Sequence, residues 1–281
     1  MNLLKCILTA NDCCKTGQTI TPKGVMVHST GANNPMLRRY VQPLAGDADY
    51  DKLMALLGKN LNGNSWNRSG VDACVHAFIG KLNDGSVAAI QTLPWNHRGW
   101  HAGTGTSGRS ANDTHISFEI CEDDLTDPAY FTQVYRAAVE LTAYLCQEYG
   151  LDPRSDGVVI CHSEGYKRGV ASGHADVMHW FPKHGKTMDD FRADVAAAMT
   201  DGGDDEEEQE DMTQEQFNEM MEQWLARRDA LPPSGWSAEA RNWAEETGLI
   251  QGDGKGNMTY KSFCTREEMA VILYRLEHPE D

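Results

Sequence analysis

"VVICHSEGYKRGVASGHADVMHW", residues 158–180, opens with a short apolar run and then supplies His162, Glu164, His174, Asp176 and His179. Val158, Val159 and Ile160 read as a buried strand, so His162 stands where that strand ends. An earlier stretch, "GVMVH" at 24–28, ends in the same way on His28. Two histidines at strand ends can project from the same edge of one sheet, and Asp176 follows His162 at a loop-sized distance. Two histidines and one carboxylate are a common set of protein ligands for a catalytic zinc, leaving the fourth position open to water. A further acid, Glu119, lies inside the strand-like "HISFEIC". Alternation aims it at one face of the sheet. An acid in an otherwise apolar strand is costly unless it is paired or functional.

Outward from these segments, residues 1–199 contain six short β-rich runs: "LLKCIL", "GVMVH", "CVHAFIG", "SVAAIQT", "HISFEIC" and "GVVIC". Asp84-Gly85 between two of them signals a hairpin. "DPAYFTQVYRAAVELTAYLCQEYG" predicts a helix with Asp127 as cap, Pro128 in its first turn and Gly150 at its end. Phe131, Val134, Ala138, Leu141 and Leu145 form its apolar stripe. A second helix is expected over "TMDDFRADVAAAM", capped by Thr187. Strands, a hairpin and helices together predict an α/β domain: a central mixed β-sheet flanked by helices.

A break follows at 200–211, "TDGGDDEEEQED", with eight acidic residues among twelve. Such a run repels itself and reads as a linker. Beyond it, residues 212–281 predict a small all-α module. Its first helix opens on Thr213-x-x-Gln216, a capping box, and sets Phe217, Met220, Met221 and Trp224 on one face. Two shorter helices follow, the last opening on Thr265-x-x-Glu268. The glycine-rich "GDGKGN" invites a calcium reading, but the twelve-residue loop from Asp253 ends on Cys264 rather than Glu, so the EF-hand pattern fails.

The chain has 281 residues, 42 acidic against 25 basic, for a net charge of −17. That balance excludes nucleic acid as a partner, because phosphate binding needs a basic footprint. No stretch approaches the roughly 18 consecutive apolar residues of a membrane span. The opening "MNLLKCILTANDCCK" lacks the apolar core and cleavage site of a signal peptide, so synthesis in a cytoplasm is expected. The eight cysteines show no C-x-x-C spacing and read as reduced, mostly buried small hydrophobes.

"GVMVHSTG", "LPWNHRGWHAG", "THISFEIC" and "VVICHSEG…GHAD", in that order, resemble the zinc-dependent N-acetylmuramoyl-L-alanine amidases of the type-2 amidase and peptidoglycan-recognition-protein fold. The endolysins of phages and prophages of Gram-positive bacteria are the most similar members. The resemblance covers roughly residues 3–199. It implies zinc held by His28 and His162, with Asp176 as third ligand, Glu119 as the catalytic acid–base, and His174 where the family usually carries Lys, as the oxyanion donor. It also implies that Trp100 and His101 border the substrate, as does Asn33 unless it and Asn34 instead cap the short helix starting at Pro35. Two departures stand out: His162 and Asp176 are fourteen apart, and Val177 replaces the usual Pro. Competing registers make His184, in "PKHG", or His174 itself the third ligand. His179 reads as packing or as support for the ligands, and His76 and His115 as satisfied strand histidines.

The implied activity is hydrolysis of the amide between N-acetylmuramic acid and L-alanine in peptidoglycan, after release to the wall by a holin or by lysis. A muropeptide-binding module without activity and a zinc peptidase acting on the stem peptide are the alternatives. The segment 236–276 resembles one S-layer-homology repeat, which implies wall anchoring; the apolar face before it could instead pair two chains into a homo-oligomer.

Overall fold

The computed structural model describes residues 2–201, 214–252 and 257–278. The chain divides into two compact units, Met1–Asp205 and Glu206–Asp281. In the first unit the strands are β1 (Leu3–Lys5), β2 (Gly24–Ser29), β3 (Ala77–Lys81), β4 (Val87–Gln91), β5 (His115–Ile120) and β6 (Val159–Cys161). Its helices are α1 (Asp12–Lys15), α2 (Tyr50–Leu57), α3 (Pro128–Tyr149), α4 (His162–Lys167) and α5 (Met188–Asp201). Each of the six β-rich runs coincides with one of the strands, with β2 and β3 running one residue further, to Ser29 and Lys81.

The strands form one mixed sheet in the order β1-β4-β3-β5-β2-β6. β3 and β4 are antiparallel through the Asp84-Gly85 turn, where Gly85 adopts φ 88°. All other neighbours are parallel. β2 lies between β5 and β6, and its register sets His28 beside Glu119 and Val27 beside Cys161.

The pleat sorts these strands into two faces. Val25, Val27, Ile116, Phe118, Ile120, Val159 and Cys161 join a core with the apolar faces of α3 and α5. α3 is delimited as its ends predict. Asp127 accepts hydrogen bonds from the amides of Ala129 and Tyr130 at 2.9 and 3.2 Å, and Gly150 closes the helix at φ 61°. Thr187 caps α5, accepting from the Asp190 amide at 3.1 Å. Phe78, Ala88 and Ile90 point the other way, into a second core with Leu37, Tyr40, Leu53 and Leu57. Further along the same face, Met26 and Ile160 pack with Ala102, Ala111 and Ala171 in a small apolar floor. His28 and Glu119 share the parity of Met26, so they belong to this face.

Six of the eight cysteines are buried and all are free thiols. No helix among the described residues is long and apolar enough to cross a membrane. The second unit holds α6 (Gln214–Asp229), α7 (Ala238–Glu246) and α8 (Arg266–Glu277). The capping box at its last helix is formed, with Thr265 Oγ1 accepting from the Glu268 amide and Glu268 from the Thr265 amide. Arg228 lies over the rings of Phe263 and Trp224, at 3.8 and 5.5 Å. Ala244 and Leu249 are the buried apolar residues described in this unit. α5 runs to Asp201, the second residue of the acidic stretch. The rest of that stretch, Thr213, the side chains of Gln216, Phe217 and Met220, and residues 253–256 of the glycine-rich segment lie outside the described residues.

Gly24, the first residue of β2, has no room for a side chain. A Cβ there would sit 2.3 Å from the Val158 carbonyl oxygen and 2.7 Å from His115 Nε2. That carbonyl already accepts the Val25 amide at 2.8 Å and cannot retreat without breaking the ladder. Gly24→Ala is therefore expected to destabilise the first unit by about 1–3 kcal/mol. Denaturant titration should show a lowered midpoint with an unchanged slope.

Candidate active site

The site lies at the carboxyl ends of the parallel trio β5-β2-β6, the usual place for function in an open α/β sheet. His28 is the fifth residue of β2, Glu119 is its cross-strand neighbour on β5, and His162 follows the last residue of β6. Parity puts all three on one face.

Asp176 comes from a 3-10 turn, Asp176–His179, whose Val177 is fully buried in the helix-side core with Trp180 just behind it. Asp176 itself has φ 29°, a left-handed conformation unusual for a residue with a side chain. Strain of that kind persists where the surroundings over-determine the geometry, and the buried Val177–Trp180 anchor supplies that constraint.

The three side chains meet at one point. His28 Nδ1 and His162 Nδ1 each lie 2.9 Å from Asp176 Oδ2, and the two nitrogens are 3.1 Å apart. Both rings are almost completely buried. Burial makes His28 a weaker base than usual, partly offset by the Asp176 carboxylate. For Asp176, burial alone would raise the pKa, but the two imidazoles against its Oδ2, those of His162 and His28, outweigh it and hold the carboxyl well below the ordinary range.

This donor set fits zinc. Bonds of about 2.0–2.1 Å to a tetrahedral ion would place ligand atoms about 3.3 Å apart, close to the separations seen. Two imidazole nitrogens and one carboxylate oxygen also suit its borderline softness and leave a fourth position for water.

Glu119 stands beside this centre. Its Oε2 is buried and has no hydrogen-bond partner. Burial, reinforced by the Asp176 and Glu122 charges, raises its pKa well above the usual carboxylate range. Such a group keeps its proton more readily than an exposed carboxylate does.

His101 lies on the other side of His28, its Nδ1 3.0 Å from His28 Nε2. Asn112 Oδ1 fixes the segment by accepting from the His101 and Ala102 amides at 2.8 and 2.9 Å. Burial first, and then the neighbouring histidines, depress the His101 pKa well below normal. A neutral imidazole results.

The remaining candidates fall in different places. His174 is exposed, with its ring 4.7 Å from that of His162. Asn33 is exposed on the loop after β2, while Asn34 makes the local bond, accepting from the Met36 amide at 3.2 Å. Trp100 packs against the second core, its backbone paired with Cys74, so it is its neighbour His101 that touches His28.

His184 is away from the centre. It stacks on Phe131 at 4.1 Å and approaches the Leu125 carbonyl. His179 pairs with the buried Glu122 at 2.8 Å, and Glu122 also accepts the Gly31 amide. Glu164 forms a two-pronged ion pair with Arg192, both contacts at 3.1 Å. His76 and His115 are satisfied by backbone carbonyls, of His97 and Gly157 respectively. Sequence reasoning missed Asn112, Glu122 and Ser172. Nothing in their local sequence marks them, because each acts on a residue distant along the chain.

A buried centre of two imidazoles and a carboxylate, with an unpartnered glutamate alongside, is the kind of site that hydrolases build around a divalent cation. Residues 18–184 match the family described as N-acetylmuramoyl-L-alanine amidase, and the chain belongs to that family. Among solved structures it is similar to the Staphylococcus aureus hydrolase AmiA in complex with its ligand, at 19% identity and TM-score 0.46 over 71% of this chain and 83% of that one. The catalytic domain of XlyA matches at 22% identity and TM-score 0.43, over 69% of this chain and 99% of that one. The N-acetylmuramoyl-L-alanine amidase LysC of Clostridium intestinale matches at 13% identity and TM-score 0.39, over 69% and 97%. A comparison with curated proteins finds no match.

The geometry brings Asp176, and not His184, to His28 and His162. Asp176→Ala should lose stoichiometric zinc, whereas His184→Ala, altered at a stacking contact on Phe131, should keep it. Metal content after dialysis against zinc-free buffer checks both.

Proposed function

We propose that the chain is a zinc-dependent peptidoglycan hydrolase that cuts the amide between N-acetylmuramic acid and L-alanine, working in cell lysis as endolysins and autolysins do. The observation that carries this reading is the meeting of His28, His162 and Asp176 within hydrogen-bond distance of one another, with the unpartnered Glu119 beside them. Membership of the amidase family supports the bond that is cut.

His28, His162 and Asp176 would hold the ion, which when bound supplies Lewis-acid polarisation of the scissile carbonyl and a more acidic water. The chain's own residues do the rest. Glu119 takes the proton of the attacking water and returns it to the leaving amine of L-alanine. Its raised pKa matches that double duty, since it must be a carboxylate first and an acid afterwards. His174, at the exposed rim beside His162, would as an imidazolium donate its Nε2–H to the negative charge that develops on the carbonyl oxygen.

Hydrogen counting gives His101 a part as well. His28 presents Nδ1 to the centre, so its Nε2–H donates to His101 Nδ1, and the proton of neutral His101 sits on Nε2. That buried N–H has no partner in the protein. The family resemblance implies that this segment borders the substrate. Asn33 and the Trp100–His101 segment are accordingly assigned to substrate contact.

Glu119→Gln removes the proton shuttle while keeping the shape of the site. Turnover is expected to fall by about 10²–10⁴-fold with the fold and zinc content unchanged. Mass spectrometry of digested walls is the decisive readout. New amino-terminal L-alanine marks the amidase, cuts within the stem peptide would mark a peptidase, and intact walls would mark a binding module.

We assign wall attachment to the second unit, on the resemblance of residues 236–276 to an S-layer-homology repeat. Its exposed aromatic side chains, Trp236 and Trp243 among them, suit contacts with sugar polymers. The net charge of −17 opposes simple attraction to anionic wall polymers, so these contacts must be specific. A chain ending at residue 201 carries every proposed ligand and catalytic group. It is expected to cleave solubilised peptidoglycan at the full-length rate but to lyse whole cells more slowly. Equal lysis by both chains would remove the attachment role.

A further inference from the structure

Ser172 lies in the stretch between the second and third ligands, ten residues after His162 and four before Asp176. That stretch is stitched to the loop after His101. The Ser107 amide donates to the Gly169 carbonyl at 3.1 Å, the Ala111 amide to the Val170 carbonyl at 2.8 Å, and the Ser172 amide to the Ala102 carbonyl at 2.8 Å. These bonds place the Ser172 hydroxyl among three polar atoms. The Ala102 carbonyl oxygen is at 3.2 Å, His162 Nε2 at 3.3 Å and His174 Nδ1 at 3.2 Å.

The hydroxyl has one proton to donate and two lone pairs to accept with. A carbonyl can only accept, so the proton goes to Ala102. The oxygen then accepts N–H groups from both histidines, which puts the His162 proton on Nε2. Nδ1, the atom 2.9 Å from Asp176 and 3.1 Å from His28 Nδ1, is left with its lone pair facing the centre.

We infer that Ser172 is a positioning residue that holds His162 in the Nε2–H tautomer and so readies its Nδ1 as a metal ligand. The inference rests on the metal reading of the centre. It extends that reading to a residue outside the ligand set, through a partner that ligating histidines generally need on their second nitrogen. His28 has the same device on the other side, with His101 Nδ1 as the acceptor. The two ligands therefore have their tautomers set by different means, one by an imidazole and the other by a serine hydroxyl. The same oxygen also accepts His174 Nδ1–H, tying the rim histidine to the ligand through one atom.

Two measurements on the full-length chain test this. The first is the ring-nitrogen NMR spectrum of His162 in metal-free protein, which distinguishes Nε2–H from Nδ1–H directly. The wild type should show Nε2–H, and Ser172→Ala should shift the population towards Nδ1–H. The second is zinc affinity, by competition with a chromophoric chelator. Ser172→Ala should bind zinc about 10–100-fold more weakly, with Ser172→Thr, which keeps the hydroxyl, close to wild type.

An Nδ1–H tautomer in the metal-free wild type overturns the inference, even if Ser172→Ala proves too unstable to study. So does an unchanged zinc affinity in Ser172→Ala, or a loss in Ser172→Thr as large as in the alanine variant. A wild-type chain that takes up no zinc defeats the metal reading instead, and the His162 tautomer still decides whether Ser172 sets it.

Discussion

The parallel pairing of β2 with β5 on one side and β6 on the other is the constraint on which everything else depends. It is a backbone interaction, indifferent to the chemistry of the side chains it carries, yet it fixes their relative positions. Because side chains alternate faces, one register puts Val25, Val27, Phe118 and Val159 under α3 and sends Met26, His28, Glu119 and Ile160 to the opposite side. A slip of one residue in β2 would bury His28 against the helices and turn Val27 towards the site. The apolar core beneath α3 therefore protects the catalytic register: exchanging the faces would bury polar groups without partners and expose the hydrophobic ones.

Within that frame the centre is assembled against its own electrostatics. Two imidazoles and two carboxylates are withdrawn from water at the end of a sheet, and each responds as burial and neighbouring charge dictate. Asp176 finds two imidazole partners and becomes a stronger acid, while Glu119 finds none and becomes a weaker one. Two carboxyl groups of the same site are thus pushed in opposite directions. The backbone contributes too. Asp176 is held at positive φ by the buried Val177 and Trp180 that follow it. The residue directly after Asp176 is thus an apolar anchor, the fully buried Val177.

Around the ligands is a second layer of contacts that determines how they present themselves. Asn112 holds the backbone of His101, His101 takes the proton of His28 Nε2, Ser172 takes that of His162, and the Glu122–His179 pair joins the loop after β2 to the turn of Asp176. These partners come from four separate regions of the chain. They convert a cluster of titratable groups into a site with defined donors and acceptors.

By itself the sequence determined the elements and the chemical repertoire. The six apolar runs, the Asp84-Gly85 turn, and the cap, proline and glycine that delimit α3 are local signals, written within a few residues of the structure they produce. They were legible because hydrophobic alternation, capping and turn formation are short-range effects. His28, His162 and Glu119 could be singled out for the same reason, as polar residues at or near the end of a β-rich run. Only the tertiary structure decided which of Asp176, His174 and His184 stands with the two histidines. All three lie in a region of irregular backbone, where spacing along the chain does not translate into distance. His184 went to the ring of Phe131 because a stacking surface was there, and Asp176 went to the strand ends because Val177 and Trp180 fill the core behind it. The roles of Ser172 and Asn112 and the pairing of His101 with His28 were invisible in the sequence. A hydrogen bond between residues 10 to 73 positions apart leaves no periodicity or motif; it exists only once the sheet has brought its ends together.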